Sequence, residues 1–137
     1  MPNRTLRQVV QGQTVVSAPA DTTVRAAAIT MARHKIGAIL VVDDQGRLAG
    51  LFTERDVLNR VVAQGLDPDS TQLSTVMTAE LQTASPDKPL AHALHMMFEG
   101  GFRHVPVVED GRPIGMVSAR NALGLEIRQF EKELEDR

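Results

Sequence analysis

Thr53 and Asp56 are the two side chains whose types and spacing best suit the binding of a small polar ligand. They stand three residues apart after an apolar run, a pattern typical of a helix N-cap followed by an acidic residue in the first turn. The same pattern suits a ligand, because a carboxylate there can accept hydrogen bonds from the two hydroxyls of a ribose and helix N–H groups favour phosphate. Capping and binding are compatible, so both interpretations stay open.

The corresponding position later in the chain differs in its chemistry. Ser118 and Asn121 have the same spacing, and the serine is a good helix cap. An asparagine side chain has one carbonyl acceptor and two donors, whereas an aspartate has two acceptor oxygens. A ligand that presents two hydroxyl donors is served less well by Asn121, so we expect this position to be the weaker site.

Four other candidates carry cationic or metal-binding chemistry. Arg103 and His104 precede a β-branched run, and they are either a solvated arginine with a partly buried neutral histidine or a cationic pair that faces an anion. His92 and His95 have a helical spacing that can hold a metal, but no third ligand follows in a recognised pattern. No recognised catalytic motif is present, which favours a protein that is not an enzyme.

An internal repeat defines the elements that position these side chains. Residues 17–58 correspond to residues 83–123, with a gap of one residue at Gln45. Each copy predicts the order β-α-β-β-α, because one helical period and two β-branched runs recur in both. The first helix of each copy is predicted to begin at an N-cap aspartate, Asp21 or Asp87.

Glycines mark the predicted ends and turns of both copies. The first helices are predicted to end at Gly37 and at Gly100-Gly101, and the dipeptide Asp110-Gly111 predicts a tight hairpin. The predicted strands that flank the turns are 39–42, 48–52, 105–108 and 114–117.

Composition excludes several classes of protein. The chain has 137 residues, a formal net charge of −2, and no Cys, Trp or Tyr. Disulfides and thiolate sites are therefore excluded, and a nucleic-acid partner is not expected without a basic face or stacking aromatics. No apolar run is long enough to cross a membrane, and residues 1–11 have no apolar region of a signal peptide, so we expect a cytoplasmic protein.

The repeat also predicts a division of the chain. Residues 1–66 form the first repeat, 67–72 the linker, 73–125 the second repeat and 126–137 a C-terminal amphipathic helix. The last helix presents an apolar face, which either packs on its own domain or forms a dimer contact. That face consists of Leu123, Ile127, Phe130 and Leu134.

The repeated segments resemble the CBS domain, the regulatory module named after cystathionine β-synthase. The segments that carry the resemblance are residues 18–24, 37–43, 50–57, 85–87, 103–108 and 115–118, together with Val76-Met77-Thr78, which resembles the usual opening of a CBS repeat. The resemblance implies an α+β fold in which two β-α-β-β-α repeats pack as a pseudo-two-fold tandem, a CBS pair. Clefts between such repeats commonly bind adenosine compounds.

The resemblance also implies which residues line the two clefts. The first cleft is expected to contain Thr53, Asp56, Gln82, Thr83, Phe102, Arg103, His104 and Arg120. The second, weaker cleft is expected to contain Thr14, Val16, Ile36, Gly37, Ala38, Ser118 and Asn121. Cations are expected only in the first cleft, so we expect it to be the stronger anion site.

The resemblance implies a stand-alone regulatory module that binds an adenosine nucleotide and signals to an unknown effector protein. AMP, ADP or ATP ranks first and NAD(H) second, as a regulatory ligand and not as a required cofactor. S-adenosylmethionine ranks third, because cations near the phosphate position oppose its sulfonium charge.

Two other classes of function stay open. One is a purely structural dimerisation module with empty clefts, and the other is an enzyme or metal protein that uses the histidines. A homodimer is expected whether the module is regulatory or purely structural, because the apolar helical faces are larger than one small core needs. Those faces include Val57, Val61 and Val62 on one helix and the C-terminal apolar face on another.

Overall fold

A computed structural model describes residues 4–120, 132, 134 and 135 of the chain. In chain order its elements are α1 (Leu6–Val10), β1 (Ser17–Pro19), α2 (Val24–His34), β2 (Ala38–Val42), β3 (Leu48–Thr53), α3 (Glu54–Asp56), a π-helical segment (Val57–Val62), α4 (Leu73–Val76), α5 (Leu90–Gly100), β4 (His104–Glu109) and β5 (Arg112–Ser118). The mixed helix and strand content confirms the α+β prediction. Asn121 and most of the C-terminal apolar face lie outside the described residues.

The chain forms two compact units. The first-repeat unit consists of Thr14–Leu81 with Asp110–Pro113, and the second-repeat unit consists of Gln82–Glu109 with the described residues of Met1–Gln13 and Ile114–Arg137. Each unit has its own cluster of buried apolar side chains.

The first-repeat unit is built on a three-stranded sheet of order β1-β2-β3. β1 pairs parallel with β2, and β2 pairs antiparallel with β3, with Ala38 opposite Thr53. Phe52 and Val41 are fully buried against α2, whose side chains Val24, Ala27 and Met31 face the same core. Thr53 is therefore the last residue of β3 and lies where the next helix begins.

The starts of α2 and α5 differ from the sequence prediction. The N-cap of α2 is Thr23, whose hydroxyl accepts a hydrogen bond from Ala26 N–H at 3.2 Å. The expectation of a cap at Asp21 was wrong, because a turn closed by Thr22 N–H and the Pro19 carbonyl contains that residue.

The second copy departs from prediction in the same way. The N-cap position of α5 is Pro89, with no side-chain cap, and the turn from Ser85 to Lys88 contains Asp87. Tertiary contact replaces the cap, since Leu90 N–H donates to the Arg4 carbonyl at 2.9 Å.

The ends of the helices and the hairpin turn are partly as predicted. α2 ends at Lys35 in the left-handed conformation, with φ 56°, and not at Gly37. Gly101 ends α5 with φ 71°, as predicted. Asp110 and Gly111 have φ values of 54° and 80°, which confirms the tight hairpin between β4 and β5.

Each unit includes a short helix that precedes the other repeat in sequence. α4 packs in the first-repeat unit, where Leu73 N–H donates to the Thr22 carbonyl at 2.9 Å. α1 packs in the second-repeat unit, where Leu6 N–H donates to the Lys88 carbonyl at 2.8 Å. Leu6 and Leu73 are both fully buried. The helix that precedes each repeat in sequence therefore packs in the unit of the other repeat.

Candidate functional site

Thr53 and Asp56 form a reciprocal capping box at the end of β3. Asp56 N–H donates to the Thr53 hydroxyl at 3.1 Å, and Thr53 N–H donates to Asp56 Oδ2 at 2.9 Å. Asp56 is the buried charged residue of the described part of the chain, with 9% of its surface exposed. The capping interpretation is confirmed, and it fixes the orientation of the carboxylate that the binding interpretation needs.

The residue before β2 lies against the start of the same helix. Glu54 N–H donates to the Gly37 carbonyl at 2.9 Å, and the strand register places Ala38 opposite Thr53. Within the first-repeat unit, the structure therefore brings Gly37 and Ala38 beside the capping box.

Arg60 contacts the Asp56 carboxylate, and the sequence analysis missed it. Its Nε lies 3.5 Å from Asp56 Oδ1, and its Nη1 donates to the carbonyls of Val76 at 3.1 Å and Met77 at 3.2 Å. Its spacing of four residues after Asp56 was a signal in the sequence, since such pairs face each other on a helix. The two carbonyl contacts were not predictable from the sequence, because they join residues 16 and 17 positions apart.

Arg60 lies in the π-helical segment that follows α3. Ala63 N–H donates to the Leu58 carbonyl and Leu66 N–H to the Val61 carbonyl, which are bonds across five residues. Such turns are uncommon and often occur near functional sites. The wide turn directly follows the residues that form the capping box.

The segment whose carbonyls accept hydrogen bonds from Arg60 is itself hydrogen-bonded to β3. Leu51 and Thr78 exchange two backbone hydrogen bonds of 2.9 Å, and Met77 covers Gly50. A Cβ atom on Gly50 would lie 2.6 Å from the Met77 sulfur, so a larger residue there would force the Met77 side chain to shift.

The second-repeat unit repeats the backbone arrangement with different side chains. Ala119 N–H donates to the Arg103 carbonyl at 2.9 Å, the counterpart of the bond between Glu54 and Gly37. His104 begins β4 and Ser118 ends β5. Asn121, the counterpart of Asp56, lies outside the described residues.

The remaining predicted site residues divide between the units. Gln82, Thr83 and Arg120 belong to the second-repeat unit and are exposed, while Phe102 packs against its core. Thr14, Val16 and Ile36 belong to the first-repeat unit, where Val16 and Ile36 pack against the core. The predicted grouping of residues from both repeats around one ligand stays a prediction.

The histidines on α5 show no metal-binding arrangement. His95 Nε2 lies 3.0 Å from Glu99 Oε1, one turn further along the helix. Among residues 4–120, 132, 134 and 135, no cluster of three or more His, Cys, Asp or Glu side chains is arranged to hold a metal. In that same part of the chain, no helix has the length and apolar character needed to cross a membrane.

Comparison with known proteins identifies the class of this chain. The family model of the CBS domain matches residues 8–63 and residues 73–127. The chain therefore belongs to the CBS domain family and contains a tandem pair of the repeats. CBS pairs are generally regulatory modules without catalytic activity of their own.

Relatives and solved structures agree with this assignment. The mitochondrial CBS domain-containing protein CBSX3 of Arabidopsis thaliana is 36% identical over 119 residues, which are 84% of this chain and 58% of that protein. The Arabidopsis thaliana protein CBSCBSPB3 is 39% identical over 117 residues, which are 85% of this chain and 21% of that protein. The chain thus spans from about a fifth to three fifths of the length of these relatives.

Two solved structures have the same fold over nearly their full lengths. A putative signal-transduction protein with CBS domains from Burkholderia ambifaria has a TM-score of 0.82 and 30% identity, covering 90% of this chain and 94% of that one. The CBS domain pair of protein MJ0100, in complex with 5′-methylthioadenosine and S-adenosylmethionine, has a TM-score of 0.83 and 25% identity, covering 93% and 99%. The fold of this chain therefore occurs in a protein that binds adenosine-derived ligands.

Proposed function

We propose that this chain is a regulatory module that binds an adenosine nucleotide through Thr53 and Asp56. The observation that carries the proposal is the buried carboxylate of Asp56, held at the start of a helix by Thr53 N–H. A carboxylate oxygen has two lone pairs, so each oxygen retains acceptor capacity for a ribose hydroxyl beside its contact with Thr53 or Arg60. The adenosine-derived ligands of the MJ0100 pair support this class of ligand.

AMP, ADP and ATP are the proposed ligands of first rank, followed by NAD(H) and S-adenosylmethionine. The reason is charge, since Arg103 and Arg120 are exposed cations and His104 follows Arg103 in the chain. We propose these three side chains as the phosphate-facing residues. Cations there favour a phosphate and oppose a sulfonium.

The test is a thermal-shift panel followed by calorimetry with AMP, ADP, ATP, NADH and S-adenosylmethionine. A ligand at 100 times its dissociation constant stabilises the fold by about 2.7 kcal/mol, so binding is easily detected. Asp56→Asn is expected to lose the shift. The matched control is Asp44→Asn, which removes the same charge from an exposed turn of the same unit. A shift that survives Asp56→Asn, or no shift with any nucleotide, contradicts the proposal.

A homodimer is the second element of the proposal, and one groove favours it. The groove has a volume of about 330 Å³ and lies in the first-repeat unit between α2 and the π-helical segment. Ile29, Val62 and Leu66 line it and are 44%, 65% and 39% exposed. Arg25 at its rim is already paired with Asp69, so the face offers apolar surface without an unpaired charge at that edge.

Of Val57, Val61 and Val62, which the sequence analysis assigned to an apolar face beyond the needs of one core, one is exposed. Val62 is exposed, whereas Val61 is 1% exposed and Val57 packs against the core of its own unit. A second copy of the chain is the proposed occupant, because an apolar face can meet its own copy across a two-fold axis.

Light scattering tests the dimer. Val62→Glu is expected to shift the mass from two chains to one, because a buried carboxylate without a partner is costly. Gln45→Glu is the control, since it adds the same charge at an exposed turn of the same unit, away from the groove. A wild-type mass of one chain contradicts the proposal. With a dimer but no nucleotide shift, the structural dimerisation module becomes the better interpretation.

The wider role follows from the class. We propose that the nucleotide is a signal that the module passes to an effector protein in the cytoplasm, and that the chain catalyses no reaction. Capture of an effector that depends on AMP in wild type, and is lost in Asp56→Asn, is the expected result. Capture that is equal in both proteins contradicts a nucleotide signal.

A further inference from the structure

Arg60 joins the candidate ligand carboxylate to the end of α4. One guanidinium lies 3.5 Å from Asp56 Oδ1 through Nε and donates through Nη1 to two successive carbonyls, those of Val76 and Met77. The arginine side chain is 48% exposed, and the carboxylate side chain is 12% exposed. Within the described residues, Arg60 is the basic side chain that forms an ion pair with Asp56.

The carbonyls that Arg60 contacts lie at the end of α4. Val76 is the last residue of that helix and Met77 is its C-cap. Carbonyl groups at a helix C-terminus have no partner within the helix, and arginine is well suited to bind them. Arg60 therefore satisfies backbone groups that the short helix leaves open, while its Nε remains beside the carboxylate.

The segment from Val76 to Thr78 is also hydrogen-bonded to the sheet. Thr78 exchanges backbone hydrogen bonds with Leu51, and Val76 is buried in the core. The continuous part of the first-repeat unit, Thr14–Leu81, ends three residues after Thr78, so Val76–Thr78 lie close to the point where the chain leaves this part of the unit. A change in the position of Asp56 thus has a continuous path of polar contacts to this exit segment.

We propose that Arg60 is a positioning residue that couples the Asp56 carboxylate to the exit segment, Val76–Thr78. The coupling in the ligand-free protein stands on the contacts above, and its response to a nucleotide rests on the proposed function. A ribose that donates two hydrogen bonds to Asp56 restricts the carboxylate to one orientation. Arg60 then loses freedom in turn, and the exit segment is held more firmly.

Arginine is required because the link uses three contacts at once. A lysine has one compact ammonium group, which can approach either the carboxylate or the carbonyls but lacks the planar fork that spans both. Arg60→Lys therefore keeps the charge and is expected to break the coupling. Arg60→Gln removes the charge as well.

The experiment measures hydrogen exchange of the Thr78 amide, which donates to the Leu51 carbonyl at 2.9 Å. A ligand-free double-mutant cycle compares wild type, Asp56→Asn, Arg60→Gln and the double variant. We expect each single change to speed exchange and the double variant to exchange no faster than Arg60→Gln alone. Rates that multiply, as for independent sites, overturn the proposal.

The second arm repeats the measurement with saturating AMP. In wild type we expect AMP to slow Thr78 exchange by about threefold to tenfold, which lies in the lower part of the range of couplings between residues in contact. Arg60→Gln and Arg60→Lys are expected to bind AMP more weakly and to show no slowing at saturation. Arg33→Gln is the control, with the same loss of charge on an exposed residue of α2. Equal slowing in wild type and Arg60→Gln overturns the proposal.

The two arms separate the proposals. If wild type binds no nucleotide, the proposed function is overturned, and the ligand-free cycle alone decides whether Arg60 couples Asp56 to the exit segment. If Arg60→Gln melts too low for measurement, Arg60→Lys replaces it in both arms.

Discussion

The two repeat units share a backbone scheme and differ in the side chains placed on it. In the first unit, Glu54 N–H donates to the Gly37 carbonyl at 2.9 Å, which joins the end of β3 to the start of β2. In the second unit, Ala119 N–H donates to the Arg103 carbonyl at 2.9 Å, which joins the end of β5 to the start of β4. The first unit places Thr53 and the buried Asp56 there, whereas the second places Ser118 and the exposed Arg103. Duplicated backbone geometry therefore offers two positions, and side-chain chemistry makes them unequal.

Loss of the carboxylate is the largest expected effect on this inequality. Asp56→Ala should weaken nucleotide binding by about 1.5–3 kcal/mol, as expected for hydrogen bonds to a charged group. Calorimetry should find one dominant site per chain in wild type. Two equal sites, or unchanged affinity in the variant, would show that the two units bind alike.

The paired glycines should respond unequally to a methyl group. Met77 covers Gly50, and Val10 covers Gly115, which is the corresponding residue of the other unit. Methionine is flexible and can move aside, but the branched Val10 side chain cannot rotate its Cβ away. Gly115→Ala should destabilise by about 2 kcal/mol and Gly50→Ala by about 1 kcal/mol. Urea unfolding of both variants provides the comparison, and a larger loss for Gly50→Ala would contradict it.

Arg103, an exposed cation of the second-repeat unit, should contribute more to the binding of a nucleotide phosphate than to the binding of adenosine. Arg103→Ala is expected to weaken AMP binding by about 1 kcal/mol, or fivefold, because the side chain is exposed and its charge is screened. Adenosine affinity is the control and should not change. Calorimetry at two salt concentrations measures both, and AMP binding that is indifferent to salt and to Arg103 argues against the charge mechanism.

The smallest expected effect concerns two acidic residues, Asp43, which follows β2, and Glu109, which ends β4. Arg7 donates to Glu109 at 2.5 Å, and this hydrogen bond lowers the pKa of Glu109 below its usual 4.5. The counterpart, Asp43, instead accepts hydrogen bonds from Arg47 N–H and Gln45 N–H within its own turn, which lower its pKa. Glu109 therefore connects α1 to β4 within the second-repeat unit, whereas Asp43 stabilises a turn.

A pH series separates these two carboxylates. A lowered pKa in the folded state gives stability that is present above the usual value and is lost as the pH falls through the folded value. The difference in Tm between wild type and Arg7→Gln should be small above pH 4.5, because both side chains are exposed and solvent screens the pair. The difference should vanish as the pH falls through the lowered pKa of Glu109. A difference that persists at lower pH would assign the loss to packing of Arg7.

Local signals in the sequence predicted much of the site. The spacing of Thr53 and Asp56 predicted the capping box, and Asp110-Gly111 predicted the hairpin. Both are interactions between residues a few positions apart, so residue type alone favours them. Asp21 and Asp87 show the limit of the same reasoning, because each lies in a turn that precedes the helix and does not cap it.

The sequence by itself determined that the chain contains two similar repeats and that one has an aspartate where the other has an asparagine. Tertiary structure decided that α1 and α4 pack away from the repeats they precede in sequence, and that Arg60 reaches Val76 and Met77. Those choices depend on which buried face each helix completes, as for Leu6 and Leu73. Burial of apolar surface is not directional, so the pattern predicts that a face is covered but only packing selects the segment that covers it.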